Sequence, residues 1–196
     1  ILCYNKLMRI IAGKYKNKKI EFVFEEKTRP TADMVRQALF TKLQFEFPME
    51  NCLDLFAGSG SLGLEALSRD ASHVYFVENN RQNVKVVENN LKDFKIEYDI
   101  NSYSTSKSAS LVFNDYLVAL NRFDIKFNLI MIDPPYAGDF YEKALKVIFE
   151  RNLLEDDGYI VLEHDENRKF ENLPFEMVSQ KKYSRKCLTY LQKGQL

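Results

Sequence analysis

Two short strings in this chain set reactive side chains where a fold can use them. The first, Asp54-Leu55-Phe56-Ala57-Gly58-Ser59-Gly60-Ser61-Leu62-Gly63, has the spacing G-x-G-x-x-G. It lies between the apolar run Cys52 to Phe56 and a segment of helical pattern, Ser61 to Ser68. Glycines at the carboxyl end of a parallel strand let the backbone approach a ligand with no Cβ in between. Glu78 stands twenty residues after Gly58 and closes the next apolar run, His73 to Val77. A carboxylate there accepts hydrogen bonds from ribose hydroxyls. Together they predict an adenosine-containing cofactor, the alternative being a tight turn with an incidental acid. The expected contacts are Asp54, Phe56, Ala57, Gly58, Ser59, Gly60 and Glu78 with the adjoining Asn79.

The same glycine spacing serves nicotinamide dinucleotides, whose pyrophosphate sits at a helix N-terminus. Asp54 argues against that ligand, because an acid four residues before the first glycine repels a pyrophosphate. It suits instead the positively charged amino-acid end of S-adenosylmethionine.

The second string, Asp133-Pro134-Pro135-Tyr136, follows the strand-length apolar run Phe127 to Ile132, which puts it on the same sheet edge as the glycine turn. Two consecutive prolines fix φ and hold the loop rigid. An exocyclic amine on a nucleobase is a poor nucleophile, its lone pair being delocalised into the ring. The Asp133 carboxylate and the Pro134 carbonyl can each accept one N–H, drawing the nitrogen toward a pyramidal geometry. Tyr136 is expected to stack on the base, which must be extruded or unpaired. Asp133, Pro134, Pro135 and Tyr136 are thus the expected catalytic group, in a chemistry that is mostly positioning. No metal is expected. The alternative is a rigid turn after a strand.

The remaining composition bounds what surrounds these strings. The chain has 196 residues, 45% of them hydrophobic and 29% charged, which fits one ordinary globular domain. No apolar run approaches the roughly 20 residues that cross a bilayer. Cys3, Cys52 and Cys187 are far apart, with no C-x-x-C pair and with His73 and His164 elsewhere, so neither a zinc site nor a disulfide framework is expected. The reducing cytosol is the expected compartment.

A formal net charge of zero conceals a segregation: residues 1–30 carry a balance of +5, residues 179–196 another +5, and the middle −10. Two basic ends suggest a polyanionic partner, although such runs also occur as solvated faces. In Lys14-Tyr15-Lys16-Asn17-Lys18-Lys19 the tyrosine either stacks on a base or covers a sheet edge.

The elements follow from periodicity. Arg9 to Ala12 and Lys19 to Phe24 are expected as a small basic hairpin turning at residues 13–17. A helix is expected over 32–45 with Thr31 as N-cap, another after Glu78 with Val84, Val87, Leu91 and Phe94 on one face, and a third over 139–151. A strand is expected within 97–105, then a helix over 111–120, strands over 127–132 and 159–163, and a terminal hairpin of 176–182 with 186–191. Strand and helix alternate, which implies right-handed crossovers and a mainly parallel sheet with helices on both faces.

Further strings occur in a telling order: Met8-Arg9-Ile10-Ile11-Ala12-Gly13, Thr28-Arg29-Pro30-Thr31 with Asp33 and Arg36, Asp54 to Gly60 continuing through Leu62-Gly63-Leu64-Glu65-Ala66-Leu67-Ser68-Arg69, and Asp133 to Tyr136. The wording and order closely resemble the RsmD-type 16S rRNA guanine-N2 methyltransferases, a class I family dependent on S-adenosylmethionine. The resemblance covers essentially Met8 onward. It implies an α/β, Rossmann-like class I methyltransferase fold, with a mainly parallel seven-stranded sheet, helices on both faces, a C-terminal antiparallel hairpin and a small N-terminal β-hairpin. It implies methylation of N2 of a guanine, position 966 in the usual rRNA numbering, within the small ribosomal subunit or an assembly intermediate.

By the same resemblance Asp115 and Tyr116 contact the adenine. Residues 8–30 are an rRNA-contacting hairpin, residues 31–196 the methyltransferase domain, and residues 1–7 an extension outside the fold. Arg9, Lys14, Lys16 and Lys18 are expected on rRNA, and Arg29 and Thr31 near the active site. Arg29 and Arg36 bind RNA phosphates or orient the site, helix-entry salt bridges being the alternative. A monomer without membrane or metal partners is expected. The competing readings are a DNA or protein-glutamine amino methyltransferase, a nicotinamide-dependent oxidoreductase and a catalytically silent RNA-binding protein.

Overall fold

The computed structural model describes residues 8–22, 31–43, 46, 48–104, 106–135 and 138–194, with side chains in the first helix from Asp33 onward. Residues 1–7, Arg29, Tyr136 and the Thr31 side chain lie outside the described residues. Ten strands and five helices are described: β1 (Met8–Arg9), β2 (Lys19–Ile20), α1 (Thr31–Leu43), β3 (Asn51–Asp54), α2 (Ser61–Ser68), β4 (His73–Glu78), α3 (Arg81–Asp93), β5 (Tyr98–Ile100), β6 (Ala109–Phe113), α4 (Tyr116–Leu120), β7 (Phe127–Ile132), α5 (Phe140–Glu150), β8 (Leu154–Asp165), β9 (Glu176–Tyr183) and β10 (Lys186–Gln192).

The main sheet has the order β5-β6-β4-β3-β7-β8-β10-β9. Strands β5 to β8 within it run parallel, and β10 is antiparallel to both β8 and β9. Every residue of β4 and β7 is buried, as expected of strands covered on both faces. Their alternation divides the core. Cys52, Phe76, Leu129, Met131, Val161 and Leu188 face the side carrying α1, α2 and α3. Leu53, Tyr75, Val77, Ile130, Ile132 and Leu162 face α4 and α5. Among the described residues no helix is long and apolar enough to cross a membrane.

The class I architecture therefore stands, with one strand beyond the seven expected: β5, three residues at the sheet edge. The expected helix over 111–120 is corrected. Residues 109–113 form β6, and only Tyr116–Leu120 is helical, capped by the Asp115 carboxylate, which accepts from the Leu117 and Val118 N–H at 2.9 and 3.3 Å. A continuous apolar run reads equally well as buried strand or helix. Burial between β4 and β5 decided it.

The N-terminal hairpin is fastened along α2. Glu65, fully buried, accepts from the Ile11 and Ala12 N–H at 2.9 and 3.0 Å and pairs with Arg69 at 2.9 Å. The Lys14 N–H donates to the Ser68 carbonyl at 2.8 Å. Gly13 makes this approach possible: at φ +81°, a Cβ there would lie 1.7 Å from the Ser68 carbonyl oxygen. Arg36 completes the clamp. It is 3% exposed and donates to the Arg9 carbonyl at 2.6 Å and to Asp33 at 2.9 Å, with Glu65 at 3.6 Å. Of the readings open for Arg36, the structure shows the helix-entry ion pairs, and burial to 3% exposure keeps its guanidinium from an RNA phosphate.

The same docking fixes where the basic turn goes. Tyr15 packs edge-on against Phe94, with ring centroids 5.3 Å apart, and Lys18 lies over both rings. Residues 14–18 therefore sit at the carboxyl ends of α2 and α3. Gly60 lies at the other end of α2, about 12 Å away at 1.5 Å per residue. Gly13→Ala is expected to destabilise the protein by more than about 2 kcal/mol in urea unfolding, through a clash and a positive φ together, and to expose the Ile11 and Ala12 amides to hydrogen exchange.

Candidate active site

A parallel sheet delivers the carboxyl ends of its strands to one edge, and side chains two residues apart share a face. Phe76, Cys52, Met131 and Val161 point toward α1 to α3. Two residues on, Glu78, Asp54, Asp133 and Glu163 come to the same edge on that side, from the neighbouring strands β4, β3, β7 and β8.

The glycine turn is built as its spacing requires. The Ala57 N–H donates to the Val77 carbonyl at 2.9 Å and the Gly60 N–H to the Ala57 carbonyl at 2.6 Å. Gly58 and Gly60 have φ of +53° and +78°, which a Cβ makes costly. A Cβ on Gly58 would point into open space, whereas one on Gly63 would meet the Phe76 ring at 2.3 Å. Gly58 thus leaves backbone accessible and Gly63 lets α2 lie close on the sheet.

Glu78 braces this turn. One carboxylate oxygen accepts from the Gly58 N–H at 2.8 Å, and the other accepts from the Asn79 and Asn80 N–H at 2.9 and 2.8 Å. Asn79 is exposed beside it, and Ser59 is half-buried. Asp54 is 2% exposed, and its carboxylate accepts from the Gly63 N–H at 3.0 Å. Burial pushes its carboxyl up to about 7; the Gly63 hydrogen bond opposes this and the charge of Glu78 adds to it. Among the described residues no cation pairs with Asp54. A buried, unpaired carboxyl beside open glycine backbone fits the ammonium of an amino-acid moiety, and Glu78 fits a ribose. On the opposite face of the turn, Phe56, Tyr116 and Phe140 form an aromatic corner with centroids 5.0 to 5.7 Å apart. Asp115 is exposed above it at the end of β6.

Asp133 emerges from β7 next to Asp54 on β3. Lys186 of β10 reaches across to it at 3.7 Å and holds Glu163 of β8 at 3.0 Å. Desolvation, Glu163 and Asp54 raise the Asp133 carboxyl well above the usual range, and Lys186 opposes them. Pro134 is buried and Pro135 exposed. The edge thus brings together Asp54, Gly58, Glu78, Asp115 and Asp133. It does not bring Lys14, Lys16 and Lys18, which lie at the far ends of α2 and α3.

A family model described as "Conserved hypothetical protein 95" matches residues 8–192. The chain belongs to that family, the RsmD-type methyltransferases. Ribosomal RNA small subunit methyltransferase D of Haemophilus influenzae is 32% identical over 163 residues, 82% of this chain and 80% of that protein. The Escherichia coli protein of the same name is 29% identical over 167 residues, 85% and 79% of the two chains. The solved structure of yhhF from Escherichia coli, 27% identical, superposes with a TM-score of 0.79 over 96% of this chain and 99% of that one. Both strings that opened the sequence reading fall inside the matched span.

Sequence reasoning missed Glu163, Lys186 and Phe140. Glu163 had a usable signal, since it ends an apolar run as Glu78 and Asp133 end theirs. Lys186 had none, because only the antiparallel register of β10 on β8 returns it to this edge.

The raised carboxyl of Asp54 has a consequence for stability. Between about pH 4, where a free carboxyl titrates, and about pH 7, the native state holds a proton that the unfolded state has released. Stability contributed by this group therefore falls as pH rises through that window and levels off above it. Between pH 5 and pH 8, wild type should lose up to about 3 kcal/mol more stability in urea unfolding than Asp54→Asn does.

Proposed function

We propose that this chain transfers a methyl group from S-adenosylmethionine to the exocyclic N2 amine of a guanine in small-subunit rRNA, as its relatives' names and the guanine-N2 resemblance suggest. The observation that carries the reading is the adjacency of Asp133-Pro134 on β7 to Asp54 and the Gly58 turn on β3. In this reading residues 8–30 serve rRNA contact and residues 31–196 the methyl transfer.

S-adenosylmethionine supplies an electrophilic methyl when bound, and the C–S electron pair leaves with the sulfur. Asp54 holds the ammonium end, Glu78 the ribose, and the corner of Phe56 and Tyr116 the adenine, with Asp115 at its rim. The Asp133 carboxylate and the Pro134 carbonyl each accept an N–H of the amine. Its lone pair is thereby freed to form the N–C bond, and the raised Asp133 carboxyl is suited to take the proton the amine then sheds. Tyr136 stacks on the base, with Arg29 and Thr31 bordering it. The buried Asp54 carboxyl favours this cofactor over a nicotinamide dinucleotide, whose pyrophosphate would bring a second negative charge to the turn.

Arg9, Lys14, Lys16 and Lys18 are exposed on the hairpin and serve rRNA phosphates, the three lysines at a distance from the reacting base and Arg9 nearer the glycine turn. Asp133→Ala is expected to lower methyl transfer to undermethylated small subunits by about 100-fold or more, with S-adenosylhomocysteine affinity in calorimetry essentially unchanged. Retention of wild-type turnover would remove Asp133 from the chemistry. Lys14→Ala combined with Lys18→Ala should weaken subunit binding and flatten its salt dependence while kcat stays the same.

A further inference from the structure

Glu163 and Lys186, which adjoin Asp133 at the candidate site, have no role in the scheme above. Asp133, Glu163 and Lys186 come from three neighbouring strands, with side chains 38, 15 and 18% exposed. The Lys186 ammonium lies 3.0 Å from Glu163 and 3.7 Å from Asp133 and offsets the crowding of two acids at one edge. Glu163 is fixed from behind: the Tyr141 hydroxyl of α5 donates to its backbone carbonyl at 2.6 Å. Arranging three partly exposed charges at a sheet edge adds little to stability, since such pairs contribute on the order of 1 kcal/mol or less. It does create a pattern of two acceptors and one donor beside the Asp133-Pro134 loop.

That pattern complements one nucleobase. An extruded base is read on its Watson–Crick edge. Guanine presents two donors there, N2–H and N1–H, and one acceptor, O6. Adenine and cytosine each present an amine followed by a bare ring nitrogen, whose lone pair a neighbouring carboxylate repels. We propose that Glu163 and Lys186 are the specificity residues of this site, Glu163 accepting the guanine N1–H and Lys186 donating to O6 while Asp133 engages N2. This rests on the proposed methyl transfer to guanine. It assigns selectivity to β8 and β10 rather than to the Asp133-Pro134 loop, which by itself would accept any planar amine.

The test uses small subunits reconstituted from ligated rRNA that carries guanine or 2-aminopurine at the methylated position. 2-Aminopurine keeps the N2 amine but has a bare N1 and no O6. Wild type is expected to prefer guanine by about 100-fold or more in kcat/KM, the penalty for leaving site groups unpaired. Glu163→Gln, whose amide can donate to a bare N1, should reduce that preference by about tenfold or more, with S-adenosylhomocysteine affinity unchanged. Lys186→Met, on another strand, should lower guanine transfer more than 2-aminopurine transfer, and it stands in if Glu163→Gln does not fold. A preference that neither variant changes, or equal losses on both bases, overturns the assignment while guanine methylation stands. Transfer by wild type to adenine or protein with none to guanine overturns the proposed function itself.

Discussion

The gathering of four acids at one sheet edge is the constraint around which this protein's candidate site is arranged. The parallel strands β4, β3, β7 and β8 end together, and each delivers an acid to one face. Crowded in a partly desolvated setting, Glu78, Asp54, Asp133 and Glu163 each need a donor, a cation or a proton to offset the gathered negative charge. Each is handled differently. Glu78 is satisfied by three backbone N–H groups of the turn and of the start of α3. Asp54 keeps a proton until about pH 7. Asp133 and Glu163 share Lys186. The differences in handling are what make the four acids chemically distinct: one shapes a loop, one waits for a cation, and two face outward beside a rigid proline pair.

The glycine turn that completes the edge is held from two sides. Glu78 fixes Gly58 from the sheet, and Asn90, buried in α3, donates to the Ser59 carbonyl at 3.0 Å from the helix layer. Asn90 also exchanges hydrogen bonds with the backbone of Glu21, accepting at 2.8 Å and donating at 2.9 Å. The chain leaving the N-terminal hairpin is therefore joined to the turn through a single side chain. Along α2, Glu65 and Ser68 fasten the incoming half of the same hairpin. The hairpin is thus an added layer over α2 and α3 rather than an appendage, and Lys14, Lys16 and Lys18 are carried to the end of those helices away from the glycine turn. The basic turn and the glycine turn thus lie at opposite ends of α2, joined through the docked hairpin.

Much of this was legible in the sequence because the signals are local. Strand Phe127–Ile132 and helix Ser61–Ser68 have the bounds their patterns imply, and G-x-G-x-x-G can form its turn only with glycine at the positive-φ positions. What periodicity misjudged was the region between α3 and β7. There an apolar run flanked by Ser, Thr and Asn suits helix and strand alike, and pairing with β4 settled it as strand. Arg36 was misjudged for a related reason. A charged residue near a helix start carries no mark of whether it will be buried, and its three partners lie on the hairpin, on its own helix and on α2.

By itself the sequence determined the alternation of strand and helix, the turn at Gly58, the acids at the strand ends and the stiff Asp133-Pro134-Pro135 segment, all encoded within a few residues of one another. The tertiary structure alone decided which of those acids became neighbours, how Lys186 returned to the edge within reach of two of them, and at which end of α2 the basic turn came to rest. The physical reason is that strand order, antiparallel register and helix docking bring together residues far apart along the chain, and they are fixed by burial rather than by local conformational preference.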